Sequence, residues 1–271
     1  MNKKLTALLL SLILLLSIAL PVFADEKDET EIPQISRITI MNLKNLERLA
    51  ENCRLDSYSK NLVVSLEADL DLEGKEFTGI PIFCGRFEGN GHTIRGLNLT
   101  GEGSQQGFFR YLTDTAMVVD LHLEGIVQPA GSGSEVGGFA GKNSGLIRSC
   151  SFSGTVSGKE FIGGITGHNT VSGTVEDCSV SGSVYGGHFV GGIAGKNVGV
   201  LRGCANNALI NETPQQNTVA LTDITLKTAL QSEAANTVTD VGGIAGISSG
   251  FIRECINHAR IGYPSMGYNI G

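Results

Sequence analysis

The stretch VGGFAGKNSGLIRSCSFSGTV, Val136 to Val156, decides how the rest of the chain is read. Its opening recurs as IGGITGHNTVSG from Ile162, VGGIAGKNVG from Val190 and VGGIAGISSG from Val241. Each copy runs on into an aliphatic residue, a cysteine and a further apolar residue. The first glycines, Gly137, Gly163, Gly191 and Gly242, stand 26, 28 and 51 residues apart, and a second glycine follows each, at Gly138, Gly164, Gly192 and Gly243. A fixed period in the twenties describes a unit too small to bury its own apolar face, one that must stack on its neighbours. Between the glycines, short runs of β-branched or small residues alternate with Gly, Asn and Ser, and no window has the length and period of a crossover helix. The expected fold is all-β: a three-sided, right-handed parallel β-helix, a solenoid with about one turn per repeat. A leucine-rich horseshoe fits poorly, because its leucine skeleton is missing.

The cysteines follow the same period. Cys150, Cys178, Cys204 and Cys255 hold one place in their repeats, so stacking lines them up in one internal column. Successive rungs lie about 4.8 Å apart with side chains pointing the same way, whereas a disulfide needs Cβ atoms about 3.8 Å apart and turned toward each other. A buried ladder of free thiols is expected. It does not resemble a zinc site, since no C-x-x-C pair is present. Cys53 and Cys84 have no repeat equivalents and receive no assignment.

Outward from the repeats, residues 1–24 read as a secretory signal peptide: Lys3 and Lys4, an apolar run from Leu5 to Leu20, then Val22 and Ala24 before an acidic stretch. The apolar run is short for a membrane span, which needs about 20 residues. Residues 25–34 read as an acidic linker, 35–132 as an N-terminal cap with divergent first rungs, and 133–271 as the repeats. Without Lys3 and Lys4, 18 basic residues face 27 acidic ones, about −9, which disfavours a nucleic-acid partner. ISRITI, from Ile35, reads as a strand. MNLKNLERLAENCR then places Leu43, Leu46, Leu49 and Ala50 on one helical face with Asn42 as N-cap, a short helix that would cover the open first rung. NLVVSLEADLDL (Asn61 to Leu72) alternates as a half-buried strand should, FCGRFEGNGHTIRGLNL (Phe83 to Leu99) reads as strand, tight turn at Asn90–Gly91, strand, and Gly107 to Val127 is a divergent rung. The interval of 51 contains an insertion at about 206–240, read as a solvent loop or a binding excursion, with a short helix over Leu226–Ala235. Gly271 stands 29 residues after Gly242, so a fifth repeat is cut short. The expectation drawn is the front of a longer protein, whose uncapped last rung self-associates.

FEGNGHTIRGLNL followed by repeated VGG(I/F)AG, an aliphatic residue and Cys resembles the GLUG-motif repeat family, and the lead-in IMNLKNLERLAENCRLDSYSKNLVVSLEADLDLEGKEFTGI is similar to that family's front segment. The likeness runs from roughly Ile35 to Gly271. Such repeats occur in exported bacterial surface and adhesin-like proteins, and before the catalytic domain of IgA-cleaving zinc metallopeptidases. The resemblance implies a β-helical rod at the cell surface and no particular ligand.

Chemistry is sparse. No H-E-x-x-H occurs, and His92, His122, His168, His188 and His258 are isolated. His92, in the Asn-Gly-His turn, reads as a structural hydrogen bonder; Lys142, His168 and Lys196 share one variable, exposed repeat position. A glycan-cleaving β-helix needs convergent carboxylates. Asp69, Asp71 and Glu73 share a strand, and Glu176–Asp177 lies in a stripe with Arg148–Ser149, Arg202–Gly203 and Arg253–Glu254 that reads as a solvated, mixed-charge face. Aromatic residues read as too few and too dispersed for a sugar-stacking platform. No catalytic, cofactor or metal residue is assigned and no cofactor is expected. Two readings stay open: a non-catalytic exported scaffold or adhesin-like module with an unknown extracellular protein or glycan ligand, and part of an enzyme, either a metallopeptidase leader or a glycan-active β-helix.

Overall fold

The computed structural model describes residues 35–131, 133–212 and 239–262. The signal-peptide and linker readings, the helix expected over Leu226–Ala235 and the fifth repeat start lie outside these residues.

The chain winds into a parallel β-solenoid of about six turns with one short helix near its start. Three faces build the coil. The first is an eight-stranded parallel sheet, from Ser36–Ile40 through Leu62–Leu66, Arg86–Glu88, Met117–Val119, Leu146–Arg148, Thr174–Glu176 and Val200–Arg202 to Phe251–Arg253. Its three-residue strands, Phe251–Arg253 apart, bury only their middle residue, so Phe87, Val118, Ile147, Val175 and Leu201 form one unbroken apolar column. The second face, a nine-stranded sheet, includes His122–Val127, Ser151–Gly163, Ser179–Gly191 and Ala205–Ile210. The third has six strands, and its inner column reads Ile80, Phe109, Ala140, Thr166, Ala194, Ala245. The residues in this column become smaller along the rod. Phe77, Phe83, Phe87, Phe108 and Phe109, with ring centroids 5.0–6.3 Å apart, fill the first rungs; alanine and glycine bring the chain in on itself further on. Each such buried ring contributes about 1.5–3 kcal/mol of burial.

The helix α1, Leu43–Asn52, forms where the apolar spacing puts it. The Asn42 side chain accepts from Asn45 N at 3.0 Å, and Asn45 Oδ1 in turn accepts from Met41 N at 3.2 Å, a reciprocal N-terminal cap. Leu46 and Leu49 are buried, Leu43 and Ala50 pack beside them, and the helix lies against Ser36–Ile40 and Ile80–Phe83 at the front of the rod.

Three local expectations change. The one strand expected over Asn61 to Leu72 is two, Leu62–Leu66 on the first face and Leu70–Asp71 on the second, because the coil turns a corner between them. The Asn90–Gly91 turn, with φ of 53° and 74°, makes no hairpin: Arg86–Glu88 and Thr93–Leu99 belong to different faces, and the turn is a corner of the coil. The short runs expected in the repeats are, in two rungs, 13-residue strands, Ser151–Gly163 and Ser179–Gly191. Glycines that looked like turns lie within the ladder, because rungs stacked on both sides keep the backbone bonded through them.

The inside of the coil carries polar columns too. Asn143 Nδ2 donates to Asn169 Oδ1 and Asn169 Nδ2 to Asn197 Oδ1, both at 2.9 Å, and Asn197 Nδ2 donates to Ser248 Oγ at 3.0 Å. All three asparagines are buried. The four repeat cysteines are free and stacked. The Cys150, Cys178, Cys204 and Cys255 thiols each lie 3.1–3.3 Å from the carbonyl oxygen two residues earlier. Burial pushes the Cys178 thiol far up, and the neighbouring Cys178 thiol raises Cys204 to about 12. Cys178 and Cys204 therefore stay protonated and inert.

Candidate functional site

The carboxylates singled out in the sequence are already engaged. Asp69 accepts from Thr93 N and meets His92 Nδ1, both at 3.0 Å, with Arg95 at 3.6 Å. The Thr93 amide first, then His92, holds its carboxyl below the usual range. Thus His92 is a structural hydrogen bonder. Asp71 accepts from Glu73 N at 2.9 Å. Glu176 pairs with Arg202, between Arg148 and Arg253 in the register, so the charged stripe is the mixed-sign face expected. Among the described residues no three His, Cys, Asp or Glu side chains are grouped to hold a metal ion.

A different feature stands out at the seam between the second and third faces. In every rung from the second on, a non-glycine residue there has left-handed backbone: Gln105 (φ 59°), Glu135 (55°), Phe161 (55°), Phe189 (53°) and Asp240 (58°). Bulky residues rarely adopt that conformation, and it costs about 1–3 kcal/mol. The next rung supports each of the first four kinks by passing it with a glycine. A Cβ on Gly141, Gly167, Gly195 or Gly246 would stand 2.4, 2.2, 2.2 or 2.2 Å from the main-chain carbon of residues 105, 135, 161 and 189 respectively. The third glycine of each motif thus serves the kink of the rung before it.

The kinks aim their side chains at a strip on the third face, where Tyr111, Lys142, His168 and Lys196 share one register position. Phe161 and Phe189 stack with centroids 5.0 Å apart and planes 10° from parallel. Lys196 Nζ lies 5.5 Å from the Phe161 centroid, and Lys142 Nζ 5.6 Å from that of Tyr111. His168 Nδ1 meets Glu135 Oε1 at 2.9 Å, and Gln105 Nε2 donates to Glu135 Oε2 at 3.0 Å. The edge offers half-buried aromatic rings, two ammonium groups, an imidazole and a fixed carboxylate in one line. That set can recognise an extended polar ligand by stacking and hydrogen bonding; it holds no nucleophile–base pair.

The dispersed aromatics of the sequence are therefore corrected here: 28 residues apart in the chain, Phe161 and Phe189 are stacked neighbours in space. The signal was present, since both stand immediately before the motif. Lys142, His168 and Lys196 do share a repeat position, as expected, but each is engaged by a neighbouring ring or carboxylate.

The hydrogen bond to His168, followed by that from Gln105, holds the Glu135 carboxyl below its ordinary value of 4.5. A depressed folded-state pKa adds stability that is present above 4.5 and lost as pH falls through the lower folded value. Glu135→Gln is expected to lower the urea midpoint at neutral pH and to cost progressively less on acidification. Equal losses at about pH 3 and about pH 7 would remove the His168 hydrogen bond from the account.

Residues 132–157 match the family model described as the GLUG motif. Among solved structures, a "putative immunoglobulin A1 protease" from Bacteroides ovatus is similar at 18% sequence identity and a TM-score of 0.49, over 86% of this chain and 77% of that one. No curated protein matches the chain.

Proposed function

For a chain that carries the GLUG motif in its third coil, we propose the role of a non-catalytic, exported rod at a bacterial surface, which recognises an extracellular glycan or protein along the kinked edge. The observation that carries this reading is the stacked Phe161–Phe189 pair with Lys196 over it, held at strained backbone on a rigid ladder. Strain of this kind concentrates where a surface must be pre-organised. Against glycan cleavage stands the engagement of Asp69, Asp71 and Glu176 in local hydrogen bonds and an ion pair.

Export through residues 1–24 and self-association are part of the proposal. The last described rung exposes Phe251 (72%), Ile256 (54%) and Ile252 (42%) beside a cavity of about 630 Å³ lined by Gly243, Ile244 and Ile261. A second copy of the chain stacking there would cover them.

The test uses the purified full chain without its leader. Panels of neutral and anionic oligosaccharides and of extracellular-matrix proteins are screened for binding, and light scattering reports self-association. Phe161→Ala with Phe189→Ala is expected to weaken the best interaction roughly tenfold, the scale of about 1.4 kcal/mol, with the circular dichroism unchanged. Retained binding in that variant, or hydrolysis of any panel member by the wild type, overturns the reading; a monomer at high concentration removes the self-association.

A further inference from the structure

Ser151–Gly163 and Ser179–Gly191 run unbroken into the next motif, paired with each other through the seam between the second and third faces. Nearer the front the ladder opens. The strand Thr93–Leu99 ends early, and residues 100–104 form no strand before Gln105 N rejoins the ladder on Ser134 O at 2.9 Å. Residues 72–79, in the coil before, are likewise irregular. A cavity of about 390 Å³ is bordered by both connections, with Arg110, Gln106, Asn98, Thr100 and Phe77 in its lining. Ligand pockets span about 300–1,000 Å³, so this one is sized for a small group.

Arg110 sets its chemistry. The side chain is half-buried and donates from Nε to Gln105 O at 3.3 Å and from Nη2 to Ser104 O at 3.2 Å. Those bonds hold the guanidinium in place and use two of its five N–H groups. Among the described residues no carboxylate pairs with it. A cation partly withdrawn from water, with N–H groups to spare, favours an anion, and its planar fork matches a carboxylate. The buried Gln106 stands beside it. A Cβ on Gly103 would lie 3.6 Å from Arg110 Nη2 and 3.7 Å from Gln106 Nε2, so the two nitrogens flank one point that the glycine leaves bare.

The remaining lining suits hydroxyl groups. Asn98 and Thr100 are exposed and offer an amide and a hydroxyl, each able to donate and accept. Lys75, Glu76 and Glu102 also line the cavity, but all three are exposed, so water answers their charges; the two carboxylates remain acceptors for hydroxyl donors. A phosphate would leave the amide and hydroxyl unused and meet both glutamates. An acyl chain would need more apolar wall than Phe77 and Leu99 supply. A ring with several hydroxyls and one carboxylate answers every group.

We propose that this cavity binds one acidic sugar, its carboxylate on the Arg110 guanidinium and its ring hydroxyls on Asn98, Thr100 and Glu102. Arg110 bonds the main chain of Gln105, the first kinked residue, so the cavity stands at the front of the kinked edge. The assignment deepens the glycan reading given above and rests on it for its setting, but neither Phe161 nor Phe189 lines the cavity.

The test titrates the purified full chain, without its leader, with glucuronate, galacturonate, the methyl ester of each, and acetate. Calorimetry and saturation-transfer NMR report binding. Expected is a dissociation constant of about 1 mM for one uronate and roughly tenfold weaker binding of its ester, which keeps the hydroxyls and loses the charge. Arg110→Gln is expected to make acid and ester equal. Because Arg110 also holds Ser104 and Gln105, Asn98→Ala is the second variant, and it should weaken acid and ester by the same factor. No detectable binding of either uronate, equal binding of acid and ester by the wild type, acetate bound as tightly as a uronate, or no loss in either variant overturns the assignment. So does an acetylated tripeptide acid that binds more tightly than both uronates, which would make the occupant a protein. A uronate that binds the Phe161→Ala, Phe189→Ala chain as it binds the wild type, while its tetramer gains nothing over the monomer, upholds the cavity and counts against the edge.

Discussion

Gly164→Ala is expected to break the rod at its middle. A Cβ on Gly164 would stand 2.4 Å from the Gly192 carbonyl oxygen, on the next rung, and 2.4 Å from Val180 Cγ1. The Gly192 oxygen is itself fixed, since it accepts from Gly164 N at 3.1 Å. Neither neighbour can retreat without parting two rungs, so the expected loss is about 3 kcal/mol, at the upper end for overpacking. The contrast that gives the number meaning is Gly101→Ala, whose Cβ meets nothing within 4 Å, and which leaves the urea midpoint in place. Equal midpoints for the two variants would show that the second glycine of the motif is not a packing requirement. Gly138 and Gly192 face the same kind of collision, with Phe152 Cδ2 at 2.4 Å and with Asn206 Cγ at 2.3 Å, so the result extends along the column.

Asn169→Ala is expected to cost about as much for the opposite reason, by removing instead of adding. Asn169 accepts from Asn143 Nδ2 and donates to Asn197 Oδ1 and to Gly173 O, at 2.9, 2.9 and 3.1 Å, all without solvent contact. Truncation strands a donor on one rung and an acceptor on the other, each at about 1–3 kcal/mol. The total loss expected is about 3 kcal/mol, read as a lower thermal midpoint. Asn169→Asp distinguishes hydrogen bonding from packing. A carboxylate can accept from Asn143 but cannot donate to Asn197, so this variant should be weak at neutral pH and partly restored by acid, when its hydroxyl donates. An Asp variant as stable as the wild type at neutral pH would sink the ladder as a source of stability.

The solenoid was legible in the sequence because the coil length is written directly as the spacing of Gly137, Gly163 and Gly191. The helix was legible because Asn42 and the spacing of Leu43, Leu46 and Leu49 are local signals. The candidate edge was not. Phe161 and Phe189 look dispersed until their shared offset from the motif is noticed, and their left-handed backbone runs against their side-chain bulk. The asparagine ladder sits in plain view as GKN, GHN and GKN, yet asparagine beside glycine ordinarily means a solvated turn. Only closure of the coil turns those amides inward. The long strands were hidden for the same reason, since a glycine at Gly154 or Gly158 breaks a lone strand but not one clamped between two others.

The reliance of each kinked residue on a glycine one coil later has a consequence for how such a gene can change. Gln105 with Gly141, Glu135 with Gly167, Phe161 with Gly195 and Phe189 with Gly246 are the same joint made four times. A duplication of one coil's length copies half of one joint and half of another, and the halves are interchangeable. Recombination therefore restores an intact joint wherever its breakpoints fall, and the array can lengthen or shorten without a privileged boundary.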